Sequence, residues 1–463
     1  MEEYDDDEIE EISEDYDADE EDNELEDYDI EDEFTKPVSP IAQRNNRKRR
    51  FLGLETTKVR KSDFYESSPF IYLGTRRPWD EIDENSLDEW YRIKIPSEFN
   101  WMLWSTPGTY KSKLVQTMLP YFYKKGYHIC IFEAKDPTLS LSLGKKTNLD
   151  RLAPGAYNMT IPIVSHIPSY LVNKNLDIAD QLEPELVRKF NKKMTLSAKN
   201  IVNSHEWQSL IGAGNVGADV IDAANKQYSG NVGKMLDQIR RGRVKDGDGK
   251  VIFIHPAAKN SILIKLNKFK TDEVFNAPKC VELNLDSLTD VWKDRKVLTY
   301  CFFNRNPEYM KIYVQKIISN QYNYVRRMQA KGKRIKILNI YDDCQLFLTQ
   351  QADENNPANR SVKNTIRMGR SYGFNSIFVI QDIIDFNYGI YNSCKDIFIG
   401  YIRDFGGARM LPQHIQTVEE NRTRFREKNV GNHTVKTVAY YHIPPNDNNA
   451  RSFFPADPNS GGF

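Results

Sequence analysis

The chain has 463 residues, enough for two or three ordinary domains or one large domain with appendages, and its formal net charge is -1. That balance hides an asymmetry: residues 1–35 hold about 22 Asp and Glu and no Lys or Arg, leaving 64 basic against about 43 acidic residues elsewhere. No apolar run approaches the roughly 18 residues of a membrane span, the acidic N-terminus lacks the basic start of a secretory signal, and five cysteines without a C-x-x-C pair argue against a disulfide framework or a zinc site. The expectation is a soluble, intracellular protein of the cell cytoplasm, with no membrane partner and no structural metal.

In chain order, residues 1–35 repel themselves and are expected to form a disordered acidic tail. Residues 36–61 follow as a Pro-, Asn- and Arg-rich linker; its cluster Arg47, Lys48, Arg49 and Arg50 suits a nuclear signal, a DNA-contacting arm or a simply solvated linker. Residues 62–98 are expected to pack on a core that begins at residue 99. A basic body of this size attracts a polyanion such as nucleic acid, although a solvated lysine-rich surface has the same composition.

From residue 99 short apolar runs alternate with longer helical stretches. Strands are predicted at "FNWMLW" (99–104), "HICIFEA" (128–134), "VELNL" (281–285), "IKILNIYDD" (335–343), "SIFVIQD" (376–382), "DIFIGYI" (396–402) and "KTVAYYHI" (436–443). Most are apolar on both faces, as strands covered by helices on two sides must be. Helices are predicted over 111–125, 288–331 and 359–372, which gives the βαβ rhythm of a parallel α/β sheet. Residues 139–280 break that rhythm and are expected to form a helical insertion subdomain, with a hairpin tip at "KDGDGK" (245–250). Residues 99–138 and 281–445 would then form the core, and 446–463 a C-terminal tail.

Three segments carry chemistry. The first, "STPGTYKS", sits between a strand and a helix. Lys111 and Ser112 take the lysine and hydroxyl positions of a phosphate-binding loop, G-x-x-x-x-G-K-[ST], at a helix N-terminus that favours an anion. Ser105 and Tyr110 stand where that pattern has glycines, with Thr106, Pro107, Gly108 and Thr109 between them. If residue 110 needs φ > 0, tyrosine costs on the order of 1 kcal/mol there. The alternative is an ordinary capped turn. The second segment, "ILNIYDDCQLFL" (337–348), is an apolar strand ending in Asp342, which could hold magnesium, and Asp343, which could polarise an attacking water. In the third, "NRSVKNTIRMGRSYGFNSIFVIQD" (359–382), a basic helix leads through a Gly-containing turn to a strand ending at Gln381, near a γ-phosphate. Arg367 and Arg370 at the helix end could reach DNA or a neighbouring subunit's nucleotide.

The order of Lys-Ser loop, acidic strand, "IRMGRSYGFNSIFVIQD" and "SCKDIFIGYIRD" resembles the HerA/FtsK superfamily of ring-forming DNA-pumping ATPases, which includes viral genome-packaging ATPases. Gly369, Arg370, Tyr372, Gly373 and Gln381 match its Gly-Arg-x-Tyr/Phe-Gly turn and Gln-ending strand. The stretch at 206–239 is similar to the insertion of archaeal HerA-like proteins. The resemblance spans residues 99–443. It departs from the family at Ser105, at Tyr110, and at Asp343, where the family usually has Glu; the acid that often follows the second strand is represented by Glu133 or Asp136.

The resemblance implies a P-loop NTPase with a RecA-like, mostly parallel central sheet, a ring that is a hexamer, and ATP-driven translocation of double-stranded DNA with Mg2+. Lys111 would bind the β- and γ-phosphates, Ser112 and Asp342 the metal, Asp343 the water and Gln381 the γ-phosphate, while Arg367 or Arg370 would reach the neighbour's nucleotide. Viral genome packaging is the specific expectation, in a host cytoplasm or a virion, with a capsid, portal or nuclease partner. A cellular or plasmid DNA translocase and an inactive DNA-binding scaffold are the alternatives.

Overall fold

The computed structural model describes residues 70–76, 90–135, 161, 163–168, 192–195, 198–201, 203–271, 281–282, 285–302, 307–350, 356–402, 426–430, 433–437, 439–445 and 451–455. The acidic tail, the basic linker and Asp136 lie outside them. Every described residue belongs to one compact unit, Arg60–Phe463.

Its strands are β1 (Phe70–Thr75), β2 (Trp90–Lys94), β3 (Asn100–Trp104), β4 (His128–Glu133), β5 (Ile163–Pro168), β6 (Lys192–Thr195), β7 (Arg243–Lys245), β8 (Val251–Phe253) and β9 (Val281–Glu282). They continue with β10 (Val297–Cys301), β11 (Ile337–Asp342), β12 (Phe374–Ile380), β13 (Asp396–Ile399), β14 (Arg426–Val430), β15 (His433–Thr437), β16 (Tyr440–Ile443) and β17 (Arg451–Pro455). The helices are α1 (Lys111–Lys124), α2 (Ser204–Ile211), α3 (Asn215–Tyr228), α4 (Val232–Arg240), α5 (Pro256–Thr271), α6 (Leu285–Lys293), α7 (Pro307–Gln329), α8 (Pro357–Arg367), α9 (Gly369–Tyr372) and α10 (Tyr388–Tyr391).

A 13-stranded sheet runs in the order β2-β1-β17-β16-β13-β3-β12-β11-β4-β10-β5-β6-β9. From β13 across to β9 every neighbouring pair is parallel. From β13 outward through β16, β17, β1 and β2 every pair is antiparallel. The mostly parallel α/β fold expected from the apolar runs is therefore present. In its central part, β12 separates β3, which carries the Lys-Ser loop, from the acidic strand β11.

Each face of the sheet has its own core. Trp101 and Leu103 of β3 join Leu114, Val115, Met118 and Phe122 of α1 in one buried cluster. Met102 and Trp104 face the other way, into a cluster with α7 and the helices α2–α5. This is the period-two alternation of a strand buried on both sides. On the α7 face, Tyr300, Phe132, Tyr341 and Phe378 lie in register on β10, β4, β11 and β12. Their rings stack at 5.7, 5.0 and 5.1 Å, close to the spacing of neighbouring strands. Polar bonds tie elements together where apolar contact alone would leave groups unpaired. Asn339 and Gln321 exchange two amide bonds of 2.9 Å between β11 and α7, and Lys316 of α7 pairs with buried Glu206 of α2 at 2.8 Å. His442 of β16 bridges Asp396 at 2.8 Å and the Tyr91 hydroxyl at 2.7 Å, joining β13 and β2.

Three expectations change. The helix predicted over 288–331 is two helices, α6 and α7, separated by β10. The fully buried "VLTYC" of β10 cannot be told by periodicity from a buried helix segment, and Arg295 at φ 55 marks the break. The strand predicted over 436–443 is divided: β15 forms a separate hairpin with β14, and only β16 joins the main sheet. Residues 451–455, expected in a tail, form β17 between β16 and β1. The hairpin expected near 245–250 is present as β7–β8, closed where Asp246 accepts from the backbone N–H groups of Asp248 and Lys250. No helix among the described residues is long and apolar enough to cross a membrane.

Candidate functional site

The loop from Ser105 to Lys111 joins β3 to α1 at the C-terminal edge of the parallel sheet, where open α/β sheets hold their ligands. Tyr110 lies at φ 66, ψ 16 and Gly108 at φ 74. The position at which the phosphate-loop pattern has its second glycine thus keeps the left-handed backbone with a tyrosine in it. The ring packs partly on the α1-face core, and the Lys113 ammonium lies 4.9 Å from its centre. The other glycine position, Ser105, is buried. Its hydroxyl lies 2.6 Å from the Thr109 hydroxyl and donates to the Tyr401 carbonyl at 2.9 Å. Gly400 makes room for it, since a Cβ there would stand 2.4 Å from Ser105 Oγ and 2.7 Å from Tyr440 Cζ. The Tyr440 hydroxyl closes the cradle with a 2.9 Å bond to the Thr109 carbonyl. Pro107 and Gly108 are exposed at the tip.

Lys111 is buried, and its ammonium donates to the carbonyls of Ser105 at 2.6 Å and Thr106 at 2.7 Å. Burial pulls its pKa down to about 8, against the attraction of Asp343 and Asp342. No acidic side chain occupies the first turn of α1 and no side chain caps it, so its N-terminal dipole is open to an anion.

Alternation along β11 turns Asp342 to the same face as Leu338 and Ile340, toward α1. There Ser112 Oγ lies 3.5 Å from Asp342 Oδ2. Burial first, then the neighbouring Asp343 carboxylate, push the Asp342 carboxyl up to about 7. A buried carboxylate in that condition suits a cation. Two oxygens cis on an octahedral magnesium at 2.0–2.1 Å lie about 2.9 Å apart, within a small adjustment of the observed separation. Among the described residues no three His, Cys, Asp or Glu side chains converge as a metal cage. The donor set fits Mg2+ that draws its remaining ligands from phosphate and water.

Asp343 follows at φ 50. Only Tyr110, Ser229, Arg295 and Asp343 among described non-glycine residues have positive φ, and two of these four lie in this site. Strain of this kind, on the order of 1–3 kcal/mol per residue, gathers at functional positions. Asp343 Oδ1 is buried with no hydrogen-bond partner, and Oδ2 lies 3.6 Å from the Lys135 ammonium. Lys135 also donates to Gln381 Oε1 at 3.0 Å, so the polar end of β12 joins the group. Glu133, at the end of β4, is buried beside Asp342 in register.

The ends of four strands, β3, β4, β11 and β12, and the start of α1 thus gather Ser105, Lys111, Ser112, Glu133, Lys135, Asp342, Asp343 and Gln381 at one sheet edge. The fold that positions them is a mixed α/β one built on a large, mostly parallel sheet. No family profile and no curated protein sequence matches the chain. Among solved structures it is similar to VirB4 of Thermoanaerobacter pseudethanolicus, at 10% identity and TM-score 0.46, over 81% of this chain and 96% of that one. It is similar to the bacterial conjugative coupling protein TrwB, at 10% identity and TM-score 0.44, over 77% and 86%. It is also similar to the genome packaging NTPase B204 from Sulfolobus turreted icosahedral virus 2, at 9% identity and TM-score 0.33, over 78% and 98%.

Within this α/β fold the two arginines stand apart from the loop. Arg367 ends α8, exposed, and Arg370 lies in α9, both ahead of the first residue of β12. Gln381 follows that strand's last residue. Seven residues of strand span roughly 23 Å, so the arginines belong to the opposite edge of the sheet from their own chain's loop. Sequence reasoning missed three participants. Lys135 follows a predicted strand, and its lysine beside two acidic segments was the available signal. Gly400 and Tyr440 are distant in sequence and gave none.

Proposed function

We propose that this chain is a magnesium-dependent ATPase that assembles into a ring, a hexamer, and drives double-stranded DNA through it. The observation that supports the reading is the pairing of a left-handed loop around Lys111 with the Ser112–Asp342 contact at 3.5 Å, an arrangement that would suit a phosphate and a metal ion side by side. Residues 105–112 would wrap the phosphates and Lys111 would reach the β- and γ-phosphates. Ser112 and Asp342 would hold Mg2+, which supplies charge neutralisation between the terminal phosphates. Asp343 would orient the attacking water and Gln381 would contact the γ-phosphate. Asp343 has a side chain one methylene shorter than Glu, and its left-handed backbone and unpaired Oδ1 suit a carboxylate held for a reacting water.

Placed at the far edge of the sheet, Arg367 and Arg370 suit the nucleotide of an adjacent subunit, so that each subunit completes the next one's site. A DNA partner is supported by the basic balance of the chain outside residues 1–35 and by the β7–β8 hairpin, which exposes Arg243, Lys245 and Lys250 beside Phe253. Together with the family resemblance, the acidic N-terminal segment and the departures in the loop suit a virus or mobile element, with genome packaging as the specific role and a capsid, portal or nuclease as partner. A translocase serving repair or plasmid transfer shares this chemistry.

The short bonds from Lys111 to its own loop favour one rival, a scaffold that binds DNA without turnover. Magnesium-dependent ATP hydrolysis, measured with and without double-stranded DNA and beside Lys111→Ala, separates them. The motor reading expects DNA-stimulated turnover that falls at least about a hundredfold in the variant, the order expected when a charged transition-state contact is lost. ATP neither bound nor hydrolysed, with DNA still bound, would establish the scaffold.

A further inference from the structure

Lys135 is assigned no role by the phosphate-loop pattern, yet its ammonium lies beside Asp343, at the proposed water-polarising end of the site. It lies just past β4, and its backbone is fixed from the neighbouring strand, where the Cys301 thiol approaches its carbonyl at 3.6 Å. Its ammonium spans two groups from different strands, Gln381 Oε1 at 3.0 Å and Asp343 Oδ2 at 3.6 Å. Both contacts are with groups proposed above to act at the γ-phosphate and the attacking water.

The Asp343 contact is beyond hydrogen-bonding distance and the Lys135 side chain is 34% exposed. An ion pair of that kind holds its partners weakly. A terminal phosphate brings about two negative charges and several acceptor oxygens, against one charge on Asp343. It would draw the flexible ammonium away from Asp343 without rearranging the strands. Lys111 would reach the β-phosphate, which both nucleotides carry, as well as the γ-phosphate; Lys135 would meet the γ-phosphate alone, which a diphosphate lacks.

We infer that Lys135 is a terminal-phosphate ligand supplied by the same chain, which makes the site select nucleoside triphosphate over diphosphate. The inference rests on the nucleotide-binding reading of the loop. The full chain, with Mg2+, is titrated with ATPγS and separately with ADP, as wild type, Lys135→Ala, Lys135→Arg and Lys111→Ala. Lys135→Ala is expected to weaken ATPγS binding about ten- to a hundredfold, the span of one charge-assisted hydrogen bond, and to leave ADP within about twofold. Lys135→Arg should recover part of the loss, and Lys111→Ala should weaken both ligands. Equal weakening of ADP and ATPγS in Lys135→Ala, or no change in either, would overturn the assignment while leaving the nucleotide site intact. A wild-type protein that binds neither ligand would overturn the nucleotide reading and this inference with it.

Discussion

Tyr110 concentrates the local problem of this site. A left-handed residue with a Cβ costs about 1 kcal/mol relative to glycine, and the tyrosine ring offsets part of that through core contact and the Lys113 ammonium. Removing the ring in two ways isolates the backbone part. Elsewhere in a protein, glycine is the less stable of the pair Ala and Gly; at φ 66 the order should invert. Tyr110→Gly is expected to be more stable than Tyr110→Ala by about 1 kcal/mol in denaturant unfolding. If the alanine variant is the more stable, the loop does not hold the left-handed conformation. The same reasoning explains why the missing glycines did not remove the loop: one was replaced in place at a conformational cost, while the room needed by Ser105 is given by Gly400 on the adjacent strand.

At the scale of elements, β4 carries a second testable group at its other end. His128 packs against Trp292 and Tyr324, with ring centres 5.2 and 6.1 Å away. Burial, and then the Arg295 charge, pull its pKa down to about 4 from an ordinary 6.5. The folded chain therefore binds fewer protons at His128 than the unfolded chain between about pH 4 and 6.5. Its contribution is complete above 6.5 and is lost as pH falls toward 4. Wild type should lose on the order of 2 kcal/mol more than His128→Phe over that window. Parallel unfolding curves for the two proteins at pH 7 and pH 4.5 would contradict this.

The parallel strands around the site were legible because each is a short apolar run ending in polar residues, and the carboxylates of β11 and the amide after β12 could be placed from sequence alone. What stayed hidden depends on distance in the chain. β10 was lost inside a long helical expectation because a fully buried strand carries no alternation. Tyr440 opens β16 and Gly400 follows β13, and neither stands out until the sheet brings them against the loop. Lys135 gains meaning only when β11 and β12 are seen beside β4.

For the whole molecule, the separation of Arg367 from its own loop makes a prediction about assembly. A subunit lacking Lys111 can still offer Arg367 to a neighbour, and a subunit lacking Arg367 can still bind nucleotide. Lys111→Ala and Arg367→Ala proteins, each nearly inactive alone, should recover a measurable part of the DNA-stimulated ATPase activity when mixed and allowed to exchange subunits. Full activity of Arg367→Ala alone would remove that arginine from the mechanism, and absence of recovery on mixing would mean that the two residues serve the same site within one chain.

The Tyr440–Thr109 bond also sets an order of events during synthesis. The phosphate loop emerges from the ribosome by residue 112, but the hydroxyl that closes it lies 331 residues further along the chain than Thr109. At about 5–20 residues per second that interval lasts on the order of half a minute. Strand β1 can pair early with β2, but its other edge waits longer still, for β17. The nascent chain therefore has the residues of this loop long before it has the bond that closes it, so that any nucleotide binding that depends on that bond would begin only when nearly all of the chain is made.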